Sequence, residues 1–234
     1  MLKAPSYIAE SGVCGSPLKY SWKPDQDVRI RDTYSKNIEQ IVLKTALRPS
    51  LAIGIAVGEW MIWRLEGVSP YKRAGKYVEA LWARTVDELY LKVDHLEPEK
   101  DVGDPAVGPL LALEHTLYLM LVNTTYDEPD RGKSVAQLAA LVRYTLTDTS
   151  HFDSWLKRIL QLLNKTFALD SENPGGPILP RAFLDPNHAI DLEKAPRLLD
   201  EQLQSIDPKG NPFLASPQQM RDAGFEGTPY RFTP

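Results

Sequence analysis

Proline most constrains what this chain can fold into, because each one fixes φ, removes a backbone donor and breaks a helix interior. More than half of the 19 prolines fall after Leu169, at positions 174, 177, 180, 186, 196, 208, 212, 217, 229 and 234. They cut that stretch into pieces too short for ordinary helices, apart from Pro196 to Ser205 and Pro217 to Ala223. Residues 1–31 are broken in the same way by Pro5, Pro17, Pro24, Gly12 and Gly15, and read as an irregular strap. Residues 32–169 instead carry sustained helical periodicity. The expected fold is therefore all-α, a bundle of about six helices over 32–169, with an N-terminal strap and a proline-rich arm over 170–234. Phe183, Leu184, Leu198, Leu199, Phe213, Leu214, Phe225, Tyr230 and Phe232 make the arm too apolar for a disordered tail, so it is expected to wrap on the bundle.

Within the bundle, Asp32 is the expected N-cap of a first helix through Tyr34, Ile38, Ile41, Val42 and Thr45, stopped by Pro49. Ser50 is the expected cap of a second helix, Leu51 to Glu66, apolar nearly all round and so central. Its Gly54 and Gly58 predict close approach of a neighbouring helix. A third helix from Pro70 to Val93 places Ala74, Val78, Leu81, Trp82, Thr85, Val86, Leu89 and Val93 on one face. A fourth runs from Pro105 to Thr124 and a fifth from Gly132 to Leu146. A sixth, capped by Thr149 or Ser150, faces inward with Phe152, Trp155, Leu156, Ile159, Leu163 and Phe167.

Two apolar stretches, Leu51 to Trp63 and Ala106 to Val122, are interrupted by Glu59 and by Glu114 with His115. The first is also shorter than the ~20 residues a bilayer requires, and both read as core helices. The formal charge of -4 over 234 residues gives no broad cationic field for nucleic acid. The cluster Tyr71, Lys72, Arg73, Lys76 and Tyr77 reads as a solvated helix end. A single cysteine, Cys14, excludes an intrachain disulfide and reads as an inert thiol. The start of the chain shows no secretory apolar run, so a reducing, cytoplasmic location is expected.

A phosphate-cradling glycine loop, a G-x-S-x-G elbow and an H-E-x-x-H helix are all missing from the sequence. Asp148 with His151, and Asp185 with His188, have a metal-like spacing but sit where aspartate serves as a cap, so no metal and no cofactor is expected. The anomalies are Glu59 and Glu114, carboxylates on core-facing arcs. Glu114 shares its arc with Leu110, Leu117, Tyr118 and Leu121; Glu59 lies with Ala52, Ala56 and Trp63. A buried unpaired charge would cost several kcal/mol, about the whole margin of stability, so each needs a partner, for example Arg64, Arg73, Arg84 or Arg143. Sharing one cleft, the two could instead act as acid and base, with His115 beside them.

Three functional classes follow. The first is a cytosolic protein-binding module, most concretely a bacterial immunity or inhibitor protein that neutralises a toxin or effector. The second is a small-ligand binder or hydrolase-like enzyme with candidate catalytic residues Glu59, Glu114 and His115. The third is a homodimer that exchanges arms. Candidate ligand- or partner-binding residues are Trp63 and Tyr118 in the bundle and Phe213, Tyr230 and Phe232 in the arm. Neither nucleic acid nor a membrane is an expected partner.

Overall fold

A computed structural model describes residues 2–92, 103–122 and 130–232. The described residues form an all-α bundle, with no strand among them and two isolated bridges, Thr45 to Ala168 and Leu91 to Leu214. Two short helices lie in the strap, α1 (Ser6–Ala9) and α2 (Gln26–Arg31), where an irregular path was expected. The bundle comprises α3 (Lys36–Leu43), α4 (Leu47–Leu65), α5 (Arg73–Arg84), α6 (Gly108–Val122), α7 (Asp130–Thr145) and α8 (Ser150–Thr166). The arm adds α9 (Ala195–Gln204) and α10 (Pro217–Asp222), at the two places its proline spacing permits. None of these helices is long and apolar enough to cross a membrane.

The apolar circumference of α4 is explained by its position, since it packs on α5, α6, α7 and α8. Gly54 lets it approach Met120 and Val135, and Gly58 faces Leu113 and Leu117, so the two glycines face α6 and α7. The face of α8 is buried as its periodicity requires, through Phe152, Trp155, Leu156, Ile159 and Leu163. Strap and arm feed the same core: Ile8, Trp22 and Ile30 from one, Phe183, Leu203, Phe213, Met220 and Tyr230 from the other.

Helix boundaries differ from the sequence reading for tertiary reasons. Asp32 closes α2 as its C-cap, and α3 starts after Ser35. Pro49 does not stop a helix; it lies in the first turn of α4, where the missing donor costs nothing. The first amides of α4 are capped from the arm, Leu47 N donating to Pro174 O and Arg48 N to Gly175 O, each at 2.9 Å. Ser50 is thus an interior residue whose hydroxyl donates to Ala46 O at 2.9 Å. The third helix ends at Arg84 because Asp87 caps a 3-10 turn, Glu88–Tyr90, after which Leu91 pairs with the arm. Val93, and the loop and helix-end expectations at 93–102 and 123–129, lie outside the described residues.

α7 approaches α3 closely at Gly132, where an added Cβ would stand 2.6 Å from the Glu39 carbonyl oxygen and 2.8 Å from Leu43. A backbone carbonyl cannot swing aside as a side chain can. Gly132→Ala should therefore cost about 1–3 kcal/mol, the usual penalty of overpacking, despite alanine's better helix propensity. A chemical-denaturation midpoint equal to or above wild type would show that α3 and α7 separate freely.

Candidate functional site

Glu59 projects from the middle of α4 and is 1% exposed. Its carboxylate accepts from Trp82 Nε1 on α5 at 3.1 Å and from Arg181 Nε at 3.0 Å, with Arg181 Nη2 at 2.7 Å from Oε1. Arg181 opens a 3-10 turn of the arm, Arg181–Leu184. Its backbone N–H donates to Gln202 Oε1 on α9, and Gln202 Nε2 returns a bond to the Trp82 carbonyl. Four elements are thus closed into a ring around one carboxylate. The same guanidinium donates to the Lys3 carbonyl at 2.8 Å, so the ring also holds the strap. Burial raises the Glu59 pKa above the ordinary carboxyl value, although the Arg181 charge and the two donors work to lower it.

Glu114 is 4% exposed on α6, and Arg73 at the start of α5 lies 3.7 Å from it. This is one of the arginines the sequence nominated. Arg143 goes instead to Asp153 at 2.7 Å. Arg64 reaches no carboxylate among the described residues: it is completely buried and donates to the carbonyls of Ser16, Pro17 and Thr145. Arg131, also buried, donates to the carbonyls of Leu43, the last residue of α3, and Thr45 just after it. Buried arginines therefore tie chain ends to helix ends, a use the sequence reading did not foresee. Charged residues on otherwise apolar helices were the available signal.

The two carboxylates are served by different arginines from different parts of the chain. Glu59 lines a small cavity with Trp63, Ile62 and Tyr71, to which Glu114 does not contribute. Its volume is about 30 Å³, room for about one water. His115 is exposed on α6, and its pKa is lowered by partial burial and by Arg31, against a raising influence from Asp27. Tyr118 is half-buried on the same helix.

The arm's aromatic candidates turn toward the bundle. Phe213 packs edge-on against Tyr77 and under the Arg73 guanidinium. The Tyr230 hydroxyl donates to Ala215 O at 2.6 Å, its ring meets Tyr90, and Phe232 is half-buried. Their aromatic character helps hold the arm down, with Phe213 and Tyr230 buried and Phe232 half-buried. The expected helix-end cluster is likewise knitted in, with Tyr77 buried and Lys72 paired to Glu66 at 3.0 Å. Asp148 and Asp185 accept the amides of Ser150 and Asn187, which is cap behaviour. Among the described residues there is no group of three potential metal ligands.

A second concavity opens where strap and arm meet, lined by Ser6, Tyr7, Asp185, His188, Leu198 and Glu201, with a volume of about 370 Å³. Sequence reading missed it because its walls lie at opposite ends of the chain. Beneath it, Tyr7 stacks on Trp155 with ring centroids 5.1 Å apart, beside Trp60. Compared with known proteins, the chain matches no family model, no curated protein and no solved structure.

Proposed function

We propose that this protein is a protein-binding module, most concretely a bacterial immunity or inhibitor protein that neutralises a partner protein in the cytoplasm. The observation that supports this reading is the fixed arm. Arg181 is anchored in the Glu59 ring, and Phe183 and Leu184 beside it are fully buried. A surface ordered before encounter loses little conformational freedom on binding, which favours tight association. The core carboxylates support it too, since both are engaged by arginines and the void beside Glu59 is about the size of one water.

The test is co-expression with the proteins encoded nearby, followed by affinity purification of the full chain and a growth assay. A stoichiometric partner whose toxicity is suppressed by the chain is the expected result. Absence of any stoichiometric partner, together with unchanged growth in every pairing, would overturn the reading. A strictly monomeric mass by light scattering would remove arm exchange as a competing explanation.

A further inference from the structure

We infer that the pocket bounded by the start of α4, the end of α5 and the end of α10 binds a small organic acid, a carboxylate on an apolar body. The site goes beyond the protein-partner reading and is tested without a partner, so either can fail alone. Its first sign is Arg84, in the last turn of α5. Of the arginines that are buried or half-buried, Arg31, Arg73, Arg143 and Arg181 pair with carboxylates, and Arg64 and Arg131 donate to backbone carbonyls. Arg84 does neither: half-buried, it has no hydrogen bond and no ion pair among the described residues. Burial lowers its pKa against the raising influence of Glu88 and Tyr77, but arginine stays charged. The guanidinium therefore carries a desolvation cost that no bond within the fold offsets.

The second sign is the space this cation lines. The pocket has a volume of about 650 Å³, within the ~300–1,000 Å³ usual for small-molecule sites. Arg48 lines it from α4; its Nη1 donates to Gly176 O at 3.1 Å, which leaves Nε and Nη2 as donors. Guanidinium forks on one cavity match the two oxygens of a carboxylate. Leu51, Val86 and Leu89 supply apolar wall for the body of the ligand. The anions at the rim limit the ligand's charge. Asp87 is committed to Leu89 N at 2.8 Å as the cap of the 3-10 turn, and Glu88 is exposed. Because these two offset part of the positive charge, the second charge of a phosphate monoester would go unmatched, and a singly charged carboxylate fits better.

The same chemistry is offered by a free acid or by the C-terminal carboxylate of another chain. Backbone-amide NMR titration of the full chain with hexanoate, N-acetyl-alanyl-leucine, hexyl phosphate and hexanol separates the possibilities. Saturable shifts at Arg48, Leu51, Thr85, Val86 and Leu89 are expected with at least one of the two carboxylates. Binding by hexanoate alone assigns a free acid; binding by the dipeptide assigns a chain terminus. Hexanol should bind at least about 10-fold more weakly, because it lacks the charge. Hexyl phosphate should bind no more tightly than the better carboxylate, and tighter binding would overturn the assignment to a single charge. Arg84→Gln should weaken the binding carboxylate by about 10-fold or more. It should still unfold in urea at or above the wild-type midpoint, since no bond within the fold is lost. Glu88→Gln, at an exposed position, should tighten binding about 2- to 5-fold by removing a like charge. Raising the salt concentration should weaken wild-type binding. A lowered Arg84→Gln midpoint with unchanged carboxylate affinity would put that arginine at the service of the carbonyl end of α5 and overturn the site. So would the lack of a saturable shift with either carboxylate, or affinities indifferent to charge, salt and both substitutions.

Discussion

Arg181→Ala is expected to destabilise the fold by about 3–5 kcal/mol at neutral pH, because it strands a buried carboxylate without its cation. Glu59 has no second cation in an ion pair among the described residues, and Trp82 alone would be left donating to it. The pH dependence identifies the cause. Burial already holds the folded Glu59 pKa above its ordinary value of 4.5, even with Arg181 in place. Between 4.5 and that raised value the folded chain binds more protons than the unfolded chain, so Glu59's contribution to stability falls as pH rises through the window. Removing Arg181 takes away the largest lowering influence, which widens the window and steepens the fall. The deficit of Arg181→Ala should therefore be greatest near neutrality and shrink as pH drops toward 4.5, where a neutral carboxyl no longer needs a cation.

The sign of the Glu59 shift also says that desolvation outweighs the attraction of Arg181. The pair is then expected to serve more to place the arm than to add net stability. Glu59→Leu combined with Arg181→Leu should recover most of what the single substitution loses, and urea midpoints of the singles and the double measure this. A single-variant loss below about 1 kcal/mol, or one constant with pH, would place the role of Arg181 in its packing and its Lys3 bond instead.

The extent to which this arrangement could be read in advance depends on where each cause lies in the chain. Periodicity exposed the buried face of α8 and the central place of α4, because a helix presents its pattern within a few turns. Gly54 and Gly58 showed close packing because absence of a side chain is itself local information. The pairing of Glu114 with Arg73 was within reach, since few basic residues lie near the helix ends involved. The start of α4 was not, because its caps come from Pro174 and Gly175. The partner of Glu59 was hidden for the same reason: Arg181 lies 122 positions away, inside a segment whose prolines announce only that it is irregular. The groove at Ser6 and Asp185 joins residues 179 positions apart. Local propensity carries no information about such encounters, which are fixed by how the arm lies on the finished bundle.

Arg64 makes the converse case, a buried cation without an anion among the described residues. It is completely buried near the C-terminal end of α4, and its fork donates to Ser16, Pro17 and Thr145 carbonyls. Thr145 ends α7, where unsatisfied carbonyls carry the negative end of the helix dipole and favour a cation. The strap is therefore tied to a helix end by a charge that several partial charges share. Burial pushes the Arg64 pKa down, yet arginine remains charged throughout the accessible pH range, so proton loss cannot relieve a poor fit. Arg64→Met keeps the apolar stem and removes all the donors. Its expected cost is about 2–4 kcal/mol, concentrated at Thr145 O, because the strap carbonyls lie nearer water and can be rehydrated. Hydrogen exchange should accelerate first at strap amides such as Ser16 N, which donates to Val13 O, and later in α4. Lysine, a compact point charge without a planar fork, should restore part of the stability but little of the strap protection. If Arg64→Met unfolded at the wild-type midpoint with normal exchange in the strap, the bonds to three carbonyls would be doing no more than offsetting the cost of burying the charge. Trp22 and Ile30 would then hold the strap through apolar contact alone.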